Sequence, residues 1–117
     1  MTLRAILPFL CIVATPALAQ QDFAPFWSEF SSAAKAGDKA KLRALTKFPF
    51  LYDDKQQGED GFAAIWKGLF TGKACACLGK EKPVKDQENY VVFCGEVGFY
   101  FEKTPAGWRF TEIGAND

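Results

Sequence analysis

The chain contains no histidine. That removes the side chain most often used as a general base near neutral pH, the serine–histidine and cysteine–histidine nucleophile pairs, and the commonest zinc ligand. Methionine occurs once, at Met1, so no thioether in the body of the chain supports a soft-metal site. Neither sign of charge dominates: fourteen Lys and Arg face fourteen Asp and Glu. No basic stripe exists, which argues against nucleic acid as a partner. The longest charged cluster, Lys80, Glu81, Lys82, Lys85 and Asp86, mixes signs as a solvated loop does. Beyond residue 19 no apolar run approaches the roughly 20 residues that a membrane span needs. No internal repeat or low-complexity stretch is present.

What is there begins with residues 1–19. Arg4 and the amino terminus form a short positive region, residues 5–14 are almost wholly apolar, and Ala17-Leu18-Ala19 places small residues where a signal peptidase inspects them. This pattern predicts a secretory signal peptide cut before Gln20. Cys11 is not a lipoprotein site, because Pro8-Phe9-Leu10 precedes it where small residues are needed. The expected product, residues 20–117, is the size of a single domain, exported to the periplasm or secreted. It retains no membrane span.

Cys75, Cys77 and Cys94 stay in that product. An oxidising compartment favours pairing, and three cysteines leave one over. The expected bridge joins Cys77 to Cys94, with Cys75 as the alternative partner. A Cys75–Cys77 bridge would instead be a strained small ring suited to thiol–disulfide exchange.

Along the chain, Asp22 is positioned to cap a first helix in which Phe23, Phe26, Trp27, Phe30, Ala33 and Ala34 recur at intervals of three and four. Gly37 ends it. Asp38 caps a shorter helix over 39–46, residues 48–53 form a strand limited by Pro49, and 54–59 form a polar loop. Asp60 caps a third helix carrying Phe62, Ile65, Trp66 and Leu69 on one face, with Gly72 at its end. Residues 74–78 read as a short strand that puts Cys75 and Cys77 on one side, and 79–88 as a loop. From Tyr90 to Lys103, Val91, Phe93, Val97, Phe99 and Phe101 share one parity, with Gly95 and Gly98 marking a bulge, a bend or a strand junction. The turn Thr104-Pro105-Ala106-Gly107 leads to a returning strand over 108–114.

Helices followed by antiparallel strands define an α+β class, with N-terminal helices packed on a curved antiparallel sheet. Two stretches carry a resemblance to a known superfamily. One runs from Phe26-Trp27-Ser28-Glu29-Phe30 through Ala36-Gly37-Asp38 to Phe48-Pro49-Phe50; the other is Trp108-Arg109-Phe110-Thr111-Glu112-Ile113. They resemble the nuclear transport factor 2-like superfamily, a cystatin-like cone that also houses ketosteroid isomerase and SnoaL-like cyclases. The resemblance implies a cone, here a reduced one, with a pocket between helices and sheet. It also implies pairing into a homodimer through the sheet, and it leaves function open, since this fold serves enzymes, binders and interaction domains.

Three readings follow. The leading one is a non-enzymatic exported domain that binds a small hydrophobic ligand or an envelope protein. It rests on aromatic residues in excess of what a core this size needs, with Trp27, Phe30, Tyr52, Trp66, Phe99 and Trp108 as candidate lining. The second, by resemblance, is an isomerase-like enzyme in which Asp53 or Glu96 is a pocket carboxylate and Tyr100 donates to a developing oxyanion. The third is a thiol redox protein acting through Cys75-x-Cys77. No cofactor or metal is expected for any of them.

Overall fold

The computed structural model of the chain describes residues 16–115. The leader expected over 1–19 therefore lies, up to residue 15, outside the described residues. The chain is α+β. Among the described residues four α-helices, α1 (Pro16–Ala36), α2 (Lys39–Ala44), α3 (Phe62–Leu69) and α4 (Gly72–Lys80), accompany six strands. These are β1 (Phe50–Tyr52), β2 (Lys55–Gln57), β3 (Val84–Asp86), β4 (Asn89–Cys94), β5 (Val97–Thr104) and β6 (Gly107–Ala115). β1 and β2 form a separate hairpin, while the other four make an antiparallel meander in chain order.

The helix spacing legible in the sequence places Phe23, Phe26, Phe30, Ala33 and Ala34 of α1 in the core. Gly37, at φ +68°, closes the helix: its N–H donates to the Ala34 carbonyl and the Asp38 N–H to the Ala33 carbonyl. Asp38 then caps α2 by accepting from the Lys41 N–H at 3.1 Å. Asp22 does not cap α1, which already begins at Pro16. Ala, Leu and Gln precede Asp22, and all propagate a helix readily. The Asp22 carboxylate instead accepts from Lys103 Nζ at 2.6 Å.

Four further expectations are corrected. Residues 74–78 are helical, within α4, because Thr71 accepts from the Ala74 N–H at 3.1 Å and starts a helix that contains no β-branched residue. Gly72 opens that helix rather than closing the one before. Residues 55–57, expected as loop, form β2, since Asp53 and Asp54 both take positive φ and make the tight two-residue turn of a hairpin. Residues 84–86, likewise expected as loop, form β3 against β4.

The segment from Tyr90 to Lys103 is a hairpin turning at Gly95-Glu96, with Gly95 at φ +65°. Cys94 pairs with Val97, Val92 with Phe99 and Tyr90 with Phe101. Partners across a two-residue turn have opposite parity. The helix-facing side is therefore even in β4 and odd in β5, and Phe93 stands on the other side, 40% exposed.

The core lies between α1 and the sheet. Phe30, Phe50, Phe62, Phe99, Phe101 and Phe110 are fully buried there. Phe101 meets Phe30 edge-on at 5.0 Å and Phe99 meets Phe110 at 5.5 Å. The outer edge of β6 is covered in part by the chain leaving α2: Phe110 N–H donates to the Leu45 carbonyl, and Lys47 N–H to the Phe110 carbonyl. β3 is the opposite edge of the sheet.

Candidate functional site

Near the β3 edge, Pro83 and Tyr90 face α1. A groove of about 510 Å3 opens between them, lined by Phe23, Ala24, Trp27, Ser28, Ser31 and Ser32 of α1 and by Pro83 and Tyr90. Its volume falls in the range of small-molecule sites, roughly 300–1,000 Å3. The ring of Tyr90, at the start of β4, stacks on Phe23 at 3.9 Å. Trp108 meets both rings edge-on, at 4.9 and 5.6 Å, and its buried indole N–H has no oxygen acceptor. Trp27 leans on Phe23 and Phe30 from the groove side.

The expected lining residues divide. Trp27 lines this groove. Phe30, Phe99 and Trp108 are buried core. Trp66 is half-buried and stacked on Phe70, and Tyr52 is half-buried with its hydroxyl against Gly68 of α3, where a side chain would collide with it. Ser28, Ser31, Ser32, Pro83 and Tyr90 were not singled out from the sequence as lining. Their signal was faint: three serines at helical spacing border the aromatic stripe that begins at Phe23.

The candidate acid–base residues are not brought together at either groove. Asp53 is exposed in the turn between β1 and β2, and Glu96 is exposed in the turn between β4 and β5. Tyr100 belongs to β5 but lies on the side of the sheet away from the core, its ring beside Gly98 and Gly114.

The cysteines resolve into one bridge and one thiol. Cys77 of α4 and Cys94 at the end of β4 form a disulfide, with Cα atoms 5.9 Å apart, and Cys75 is free. Two residues apart on a helix, Cys75 and Cys77 point in nearly opposite directions. The Cys75 thiol is partly buried, with Sγ 3.7 Å from the Phe70 carbonyl oxygen, and burial pushes its pKa up. A raised pKa makes a poor nucleophile.

A second groove, about 460 Å3, lies between α2 and α3 and is lined by Lys39, Ala40, Arg43, Glu59, Asp60, Phe62 and Ala63. Its walls carry opposite charges and only one aromatic ring. Among the described residues no group of three or more His, Cys, Asp or Glu could hold a metal ion, and no helix is long and apolar enough to cross a membrane. In comparisons with known proteins, no family model, curated protein or solved structure matches the chain.

Proposed function

We propose that this chain is an exported binding domain of nuclear transport factor 2-like descent, which holds a small hydrophobic ligand in the groove between α1 and the β3 edge. One observation carries the reading: three aromatic rings, those of Phe23, Trp27 and Tyr90, line a groove of ligand size. The Cys77–Cys94 disulfide supports passage through an oxidising compartment, as the leader pattern does. Binding is favoured over catalysis because Asp53, Glu96 and Tyr100 occupy hairpin turns and the far side of the sheet rather than the groove. Binding is favoured over thiol exchange because Cys77 is bridged and the remaining thiol is partly buried.

The test is titration of the purified protein with a neutral apolar fluorophore. Saturable one-to-one enhancement is expected, and Ala24→Trp, which fills the groove from its exposed wall, should abolish it without lowering thermal stability. Enhancement that never saturates, or that survives Ala24→Trp, would refute the reading.

A further inference from the structure

We infer that the ligand of this groove is an amphiphile with an apolar body and an anionic head, and that Lys85 holds the head. The inference rests on the binding reading above and adds the ligand's charge. None of the groove-lining residues is a carboxylate or an ammonium; they are aromatic, small or hydroxylic. At the margin, Lys85 of β3 sits opposite Tyr90 in register. Its side chain rises on the helix-facing side, and Nζ lies 5.3 Å from the centre of the Tyr90 ring.

A second lysine in the same aromatic cluster provides the contrast. Lys103 Nζ lies 5.9 Å from the centre of the Trp108 ring, and the Asp22 carboxylate neutralises it at 2.6 Å. Each lysine therefore stands over one ring of the Phe23–Tyr90–Trp108 cluster. One has its carboxylate within the chain; Lys85 has no ion pair among the described residues. Asp86, its neighbour on β3, projects to the opposite side of the sheet. Lys82 adjoins the lining residue Pro83. An anion beside the groove thus finds complementary charge, an aromatic wall for its chain, and the hydroxyls of Ser28, Ser31 and Ser32 along the helix.

The inference is tested by calorimetric titration of the protein with decanoate, decanol and decyltrimethylammonium, which share a chain and differ in head charge. Decanoate should bind about fivefold more tightly than decanol, the scale of one exposed ion pair, with decyltrimethylammonium weakest. Lys85→Gln should bring decanoate and decanol together. Lys55→Gln, on the distant β1–β2 hairpin, should leave the preference intact and controls for loss of charge alone. Equal binding of decanoate and decanol to the unaltered protein would overturn the inference while leaving the hydrophobic groove standing. A decanoate preference that survives Lys85→Gln would remove Lys85 from the role. Binding by none of the three probes would overturn the groove reading and this inference together.

Discussion

The two ends of β4 are held against the helical layer by different means. At its C-terminal end, Cys94 is bonded to Cys77 of α4. At its N-terminal end, Tyr90 meets the helical layer by stacking on Phe23 of α1, with the edge of Trp108 of β6 against the pair. The stapled end resists separation because a covalent link restricts the unfolded chain. The stacked end depends on burial of rings, which is strong in sum but opens wherever a ring reaches the surface. The groove lies at the stacked end. A site that must admit a ligand sits where helix and sheet are held by removable contacts, while the fold is secured some four residues along the same strand.

The largest effect should come from breaking the stacked end. Phe23 is buried and its ring touches those of Phe26, Trp27, Tyr90, Phe101 and Trp108. Phe23→Ala should cost about 4 kcal/mol of unfolding free energy, measured by urea titration, and should remove probe binding. Breaking the stapled end comes next. The bridge spans a sequence separation of 17, and its replacement by Cys77→Ala with Cys94→Ala should cost about 3 kcal/mol in the chain-entropy view. Probe affinity should survive that loss. If the double variant binds no probe although folded, the two ends are coupled and the comparison fails.

Two smaller changes sharpen the contrast. Thr71→Ala removes the cap of α4, the helix that carries the staple, and should cost about 1 kcal/mol; the deficit should appear in the urea midpoint and leave probe binding unchanged. Lys103→Ala removes the ion pair with Asp22 at the stacked end. Both partners are about half exposed, so the loss should be no more than about 0.5 kcal/mol and should shrink as salt is added.

The sequence made the stacked end partly visible and the stapled end only by counting. The helical spacing from Phe23 to Ala34 and the turn at Thr104–Gly107 each rest on local chemistry, and both appear in the structure. The strand expected over 74–78 failed because alternating Ala and Cys fit either period, and the cap at Thr71 decides the matter. The single parity from Val91 to Phe101 does not hold across the segment, because of the three readings of Gly95 and Gly98 the strand junction is the one realised. A two-residue turn at Gly95-Glu96 exchanges inward parity between β4 and β5, so Phe93 and Glu96 lost the places expected of them. Tyr90 became a wall of the groove through its stack on Phe23, a contact distant in sequence that no local pattern encodes.

The smallest effect concerns Cys75, which reports on how α4 packs. Burial raises the pKa of its thiol, so the folded state holds that proton more tightly than the unfolded state does. As pH rises above the ordinary thiol pKa the unfolded chain loses the proton first, and stability falls. The contribution is complete below that pKa and is lost as pH climbs through the higher folded value. Urea midpoints of the parent and of Cys75→Ser, compared between neutral and alkaline pH, should show a slightly steeper decline in the parent. Alkylation of Cys75 at neutral pH should be slower than that of a free cysteine. In the Cys77→Ala, Cys94→Ala background, alkylation should quicken only if α4 leaves the core when its staple is cut. A rate unchanged in that background would mean that packing alone seats α4, which would bring the two ends of β4 closer in kind than the disulfide makes them look.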